Sequence, residues 1–291
     1  MSDADASAAT PFELLGHDIR IGIVEALVEH RREHPDEPAL TFSELRDRVG
    51  VADSGQFNYH LDKLRGQFVR ETDAGYRLGA AGRQVAGAVL SGSYDVGPDR
   101  GPVDLDATCG YCDASVAVRY EDGALVAECD DGHTVHSDYF PSGIVERVSL
   151  PAAMELSALL GHHKVELLLR DVCPSCYGPA TATVERAAPD GRGEGPYFRA
   201  RCEQCGFSLD GPPGLAVLPH PALLALYLDH DRDVRTAFLW SLPFLVDRER
   251  WWVEEETPLR VGVEAAAGDE RVRFLVDGDC SVVRYERDPT G

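Results

Sequence analysis

The four cysteines in Cys173-x2-Cys176 and Cys202-x2-Cys205 constrain the fold of this chain more than any other pattern in it. A Cys-x2-Cys turn sets two thiolates on one side of a metal ion, and zinc takes four ligands at tetrahedral corners. Two such turns must therefore meet, and the chain between them must run out and back. Strands over Thr181 to Glu185 and Tyr197 to Arg201, joined by a Gly-rich loop from Pro189 to Pro196, do this in the shortest way. The small residue after the second cysteine, as in Cys202-Glu203-Gln204-Cys205-Gly206, suits such a turn. Four sulfur ligands leave no open coordination position, so this site is structural.

A second set is spelled differently. Cys109-x2-Cys112 is followed by Cys129 and, four residues on, His133. Three cysteines and one histidine also form a structural zinc set. His133 is the preferred fourth ligand and His136 the competitor. Two strands, Ser115 to Tyr120 and Ala124 to Glu128, flank a turn at Glu121-Asp122-Gly123. Both sets look like zinc-ribbon knuckles, which implies a duplicated module and two structural Zn(2+) per chain. In a reducing compartment, close cysteine pairs hold metal more often than they form disulfides. Cys280 has no partner in sequence and reads as a part-buried thiol.

Ahead of the cysteines, Thr41 to Leu78 reads as two helices and a hairpin. Phe42, Leu45 and Val49 share one helical face, and Gly50 ends that helix. After the turn Val51 to Gly55, Ser54 or Asp53 caps a helix from Gln56 to Gln67. Phe57, Leu61 and Leu64 form its buried stripe, leaving Gln56, Asn58, Tyr59, His60 and Lys63 outside. Val69 to Glu71 and Tyr76 to Leu78 then pair across Asp73-Ala74-Gly75. Amide and hydroxyl side chains on the second helix suit major-groove contacts, because Gln and Asn reach adenine and Lys or Arg reach guanine or phosphate.

With its helix "SGQFNYHLDKL", this segment resembles the winged helix-turn-helix regulators of the ArsR-like class, their haloarchaeal members especially, over roughly residues 11–95. The resemblance implies a dimeric repressor or activator that binds double-stranded DNA. On it, Ser54, Gln56, Asn58, Tyr59, His60, Lys63 and Arg65, with Arg70 and Arg77 on the wing, become the DNA-binding residues. Metal-sensing members carry a cysteine pair on the DNA-binding helix; this chain has no cysteine before Cys109, so the resemblance stops short of that mode.

Charge bears on this reading. The chain has 291 residues and 50 acidic against 28 basic residues, a net charge of −22. Only Lys63 and Lys164 are lysines; the other basic residues are arginines. Abundant Asp with scarce Lys fits the surface of a halophile's protein. In molar salt the Debye length is about 3 Å, so long-range steering is lost and close contacts must carry binding. The sign is locally right: residues 54–70 hold Lys63, Arg65 and Arg70 against Asp62 alone.

The expected fold class is α+β. A tail over residues 1–10 precedes the winged domain of residues 11–97, in which Pro11 to Glu33 is one long helix and Ala80 to Leu90 another. A linker from Tyr94 to Asp106 leads to the first ribbon-like module, residues 98–150. Residues 151–218 hold helices Pro151 to Leu160 and Lys164 to Arg170 and the second ribbon. Residues 219–291 hold apolar helices, Pro221 to Asp229 and Val234 to Leu242, then strands at 259–263, 272–276 and 281–285 in a small antiparallel sheet. His162 and His163 point to different faces of a helix and read as surface or helix-end residues. Trp240, Trp251 and Trp252 read as core or interface.

No run of 18 apolar residues exists and Met1 to Thr10 lacks the pattern of a signal peptide, so a cytoplasmic protein without a membrane span is expected. No nucleophile elbow, phosphate loop or metalloprotease motif is present, and the reading is not an enzyme. The function expected is a sequence-specific transcription regulator, forming a homodimer, with a C-terminal region open to a protein partner or effector. A basal-transcription or adaptor factor gripping promoter DNA and RNA polymerase is the alternative. A nuclease is the third reading, and it lacks an open metal site.

Overall fold

The computed structural model of the protein describes residues 10–187 and 195–288, in two compact units, residues 1–96 and residues 97–291. The expected tail, residue 10 excepted, and most of the expected loop from Pro189 to Pro196 lie outside the described residues. The fold is mixed α and β, with antiparallel sheets only among the described residues.

The first unit begins with α1 (Thr10–Leu15) and α2 (Asp18–Glu33) in place of the single helix expected from Pro11 to Glu33. His17 takes an extended backbone, and its ring nitrogen accepts the N–H of Ile19, so a new helix starts there. The apolar period hides this break because Leu14, Leu15 and Ile19 all pack on the same core. α3 (Phe42–Val49) is closed at both ends: Thr41 and Glu44 form a reciprocal capping box, and Gly50 ends it at φ 75. α4 (Ser54–Leu64) is capped by Asp53, whose carboxylate accepts the N–H of Gln56 at 2.7 Å. It stops short of the expected Gln67, because Arg65 turns extended and Gly66 takes φ 83.

β1 (Val69–Thr72) and β2 (Gly75–Leu78) then form an antiparallel hairpin. Gly75 is required there, since a Cβ would sit 2.3 Å from the carbonyl oxygen of Leu40. α5 (Ala80–Leu90) follows. Ile23, Leu27, Leu45, Phe57, Leu61, Leu64 and Phe68 form the core of this unit, each at most 1% exposed.

In the second unit β3 (Arg100–Thr108) occupies part of the stretch expected as a linker. β4 (Ser115–Glu121), β5 (Ala124–Cys129) and β6 (Thr134–Tyr139) follow, giving a sheet of order β3-β4-β5-β6. After α6 (Ser142–Val145), α7 (Leu150–Leu168) runs unbroken where two helices, Pro151 to Leu160 and Lys164 to Arg170, were expected. The reason is tertiary: His162, expected near the surface, is 8% exposed, its Nε2 is 3.2 Å from the carbonyl of Ala237, and Val165 and Leu168 are core.

β7 (Ala180–Glu185), β8 (Tyr197–Cys202) and β9 (Ser208–Gly211) make the next sheet. Then come α8 (Pro221–Leu228), α9 (Pro243–Val246) and a four-stranded sheet of β10 (Trp251–Glu256), β11 (Leu259–Ala267), β12 (Glu270–Asp277) and β13 (Val282–Asp288). The stretch expected as a helix from Val234 to Leu242 is instead two 3₁₀ turns, with Trp240 turned into the core of the first sheet. The second ribbon-like sheet and the C-terminal sheet share one core, in which Phe198, Leu223, Phe244, Val263 and Phe274 meet.

Candidate functional site

Each ribbon-like module repeats one path. A Cys-x2-Cys turn precedes a strand, the strand reverses, and the return strand ends on the third cysteine. Cys129 closes β5 opposite Val116, and Cys202 closes β8 opposite Ala180. In both cases that partner lies four residues after the second cysteine, so the two modules have the same register at the site. The turns share a hydrogen-bond pattern as well. The N–H groups of Cys109, Cys173 and Cys202 donate to the carbonyls of Ala114, Gly178 and Phe207, all at 2.9 Å. The residues at φ 60, 58 and 75 in those turns are Asp113, Tyr177 and Gly206. The turn therefore needs a left-handed residue after the second cysteine, and only one of the three is small. Gly178 is small for another reason: a Cβ would meet the Gln204 amide at 2.3 Å.

The ligand atoms converge. In the first set Cys112 and Cys129 Sγ are 3.7 Å apart, and His133 Nδ1 lies 3.3, 3.5 and 3.8 Å from Cys112, Cys129 and Cys109. In the second, Cys173–Cys205 and Cys176–Cys202 are both 3.6 Å. A tetrahedron with metal–sulfur bonds of about 2.3 Å has edges of about 3.8 Å, whereas a disulfide needs about 2.05 Å. Both sets therefore fit a four-coordinate metal such as zinc. His136, the rival ligand, is elsewhere: its Nε2 is 3.1 Å from Ser157 Oγ and its ring lies against Trp240.

Backbone N–H groups tune the thiols. Against the opposing effect of burial, the N–H groups of His133 and Asp131 bring Cys129 down to about 7. The N–H of Cys205, with that of Gln204, brings Cys202 down to about 7. Each set thus offers one cysteine ready to be thiolate near neutral pH, which is the form that binds metal. A bound zinc ion would cross-link the two turns of a module and leave no position for a substrate. His133, with Tyr111 beside it, and Cys205 are the exposed members of the two sets.

The face expected to contact DNA is partly as read. Ser54, Gln56, Asn58, Tyr59 and Lys63 are exposed on α4. His60 is not: it is 6% exposed, with its ring 4.0 Å from that of His17, and its place is the core side of the helix. The apolar stripe of α4 is one residue wider than its hydrophobic residues spell. Two further residues are engaged by carboxylates. The amide of Asn58 donates to Asp62 at 3.0 Å, and Arg65 donates to Asp62 at 2.8 Å and to Glu71. Lys63 sits 5.5 Å over the Tyr59 ring.

The hairpin differs. Arg70 and Arg77 stand directly opposite each other in the β1–β2 register. With Arg83 of α5 they line a small cleft. Among the described residues no carboxylate pairs with any of the three, whereas Arg119, Arg199, Arg260, Arg273 and Arg287 each hold acidic partners. Like charges placed opposite one another across a hairpin cost stability. Sequence reasoning found Arg70 and Arg77 but not Arg83. Its position in the first turn of a helix, where a cation opposes the dipole, was the available signal.

Two families match the chain. One described as a domain of unknown function (DUF7351) matches residues 106–282, and one described as a domain of unknown function (DUF7347) matches residues 8–89. No curated protein and no solved structure matches it. No helix among the described residues is long and apolar enough to cross a membrane.

Proposed function

The chain belongs to the DUF7351 family, and from the residues themselves we propose that it is a sequence-specific DNA-binding transcription regulator. Residues 11–95 act as a winged helix-turn-helix: α3 and α4 are the helix pair, α4 is the reader, and the β1–β2 hairpin is the wing. The observation that carries this is the group Arg70, Arg77 and Arg83. In a chain of net charge −22, three arginines with no carboxylate partner among the described residues line one cleft, in the same unit as an exposed α4 face bearing Gln56, Tyr59 and Lys63. A polyanion would relieve the like-charge pair and supply the missing partners.

Gln56 leads as base reader. Asn58 must first leave Asp62, so its contribution is smaller. The exposed Phe12, Ile21, Val89, Leu90 and Tyr94 border an apolar groove in the first unit, which supports a homodimer. The two zinc ions are structural, and the protein performs no catalysis.

Selection from a random duplex library by the purified, metal-loaded protein should yield one enriched motif. Gln56→Ala should relax preference at one base pair, by about 1–3 kcal/mol for a bidentate contact. Arg70→Ala with Arg77→Ala should weaken binding to all sequences and flatten the salt dependence by close to one unit of slope per lost phosphate contact. Absence of any enriched motif would overturn sequence-specific reading. Binding without a motif would leave a general promoter or adaptor factor.

A further inference from the structure

The first unit gathers unfavourable charge at one place. Arg70 and Arg77 are direct partners in the β1–β2 register, so their side chains leave the same face of the hairpin. Arg83 lies in the first turn of α5, at the positive end of the helix dipole. These three arginines line a cleft of ≈ 300 Å³ with Leu78 and Ala80. The ion pairs described in this unit belong to other arginines, Arg32, Arg46, Arg48 and Arg65. Glu71, the acidic residue of β1, points to the opposite face from Arg70 and is engaged by Arg65 and Tyr76.

The local backbone builds the cleft. Gly79 leads from β2 into α5, and its N–H donates to the carbonyl of Phe68 at 2.8 Å. Gly82 comes so close to the same carbonyl that a Cβ would sit 2.3 Å from its oxygen. The two glycines thus seat the first turn of α5 against the chain just ahead of β1. Arg83 reaches back from that turn, and its Nη1 donates to the carbonyl of Leu78 at 3.1 Å. That bond uses one of five guanidinium donors and holds the group beside the hairpin. Gly79 also has no side chain to cap α5, whereas α2, α3, α4, α7 and α8 are each capped by one. The first N–H groups of α5 are left without an intrahelical acceptor.

We propose that Arg70, Arg77 and Arg83, with the open N–H groups at the start of α5, form a discrete site for one phosphate group, supplied by a DNA backbone or by a free phosphorylated molecule. A carboxylate has two oxygens and satisfies one guanidinium fork. Guanidinium groups arriving from β1, β2 and α5 call for more acceptor oxygens around one centre, which a tetrahedral phosphate provides. Such an anion would offset the Arg70–Arg77 repulsion, the cation at the helix start and the uncapped N–H groups together. The site rests on the arginines alone; DNA as a source of the phosphate rests on the DNA-binding reading. Free phosphate should then compete with DNA for the wing.

The test titrates the full, metal-loaded, ¹⁵N-labelled chain with inorganic phosphate, withdrawing KCl to keep the ionic strength constant so that screening does not change. The amide signals of Ala80, Ala81 and Arg83 report the site. Saturable shifts are expected. Arg77→Gln and Arg83→Gln should each weaken binding about tenfold, the size of one charge-assisted hydrogen bond. Arg48→Gln, which removes an arginine paired with Glu33, should leave it unchanged. Arg77→Gln also removes the repulsion across the hairpin, so this variant should melt no lower than the parent, as a merely structural arginine would not allow. Duplex DNA of random sequence is then added. Displacement of phosphate by DNA puts a backbone phosphate in the site. Phosphate that DNA fails to displace makes a free phosphorylated molecule the ligand; the site then stands and the wing drops out of the DNA reading. Shifts that do not saturate, or saturation that both glutamine variants leave unchanged, would overturn the proposal whether or not DNA binds.

Discussion

His133 and His136 are three residues apart, and the sequence alone leaves either as the fourth ligand of the first site. The structure separates them by what each ring touches: three cysteine sulfurs for His133, and Ser157 with Trp240 for His136. Metal content should therefore fall from two ions per chain toward one in His133→Ala and stay at two in His136→Ala. His133→Cys should keep two, because a thiolate can take the same corner. Loss of metal in His136→Ala but not in His133→Ala would reverse the assignment. The seven cysteines of the two candidate sets could be read from spacing because the chemistry fixes both residue type and interval, whereas the choice between His133 and His136 could not. His60 could not be read correctly, because a histidine carries no mark of which side of a helix it belongs to. Only the nearby ring of His17 settles that.

Elements were legible where local signals agree with packing. α3 lies at Phe42–Val49 because its cap, its apolar period and Gly50 all point to one answer. α7 is the opposite case. Gly161 and the polar His162-His163 look like a break, yet burial of His162 against Ala237 and of Val165 and Leu168 in the core hold the helix together. β6 and β9 were missed because they are short edge strands whose order is imposed by the knuckle before them.

The buried His162 makes a pH prediction at this scale. Burial lowers its affinity for a proton, outweighing the Ala237 carbonyl and Asp233. The unfolded chain then binds the proton more readily, so stability present above the ordinary histidine value of about 6.5 is lost as pH falls through the lower folded value. Between those two values the slope approaches about 1.4 kcal/mol per pH unit for one linked proton. Thermal denaturation from pH 7.5 to 5.5, with metal content checked at each point, should show a shallower pH dependence in His162→Gln. An identical slope in that variant would assign the acid loss to other groups.

At the scale of the whole molecule the candidate metal sites are unevenly placed: among the described residues both sets lie in the unit of residues 97–291. Cys109 and Cys129 belong to one of its hydrophobic cores, and Cys173 and Cys202 to the other. The ligands are thus part of the packing, and both cores depend on them. Structural zinc contributes about 10–16 kcal/mol in zinc-finger peptides, as much as the whole stability of a typical domain, about 5–15 kcal/mol. Removing it should therefore unfold the second unit. The first unit contains no cysteine and has its own core around Leu27, Phe57 and Leu61, so it should survive. Hydrogen exchange on the intact chain, before and after a strong chelator, separates the two. Protection should collapse in β4, β5, β7 and β8 and persist in α2 and α4. Lower pH should make the chelator act faster, because protons compete with the metal for thiolates and imidazole. Retained protection in β7 and β8 after complete metal removal would mean that the second module packs without its ion, and the metal would then be an accessory to that fold, not its foundation.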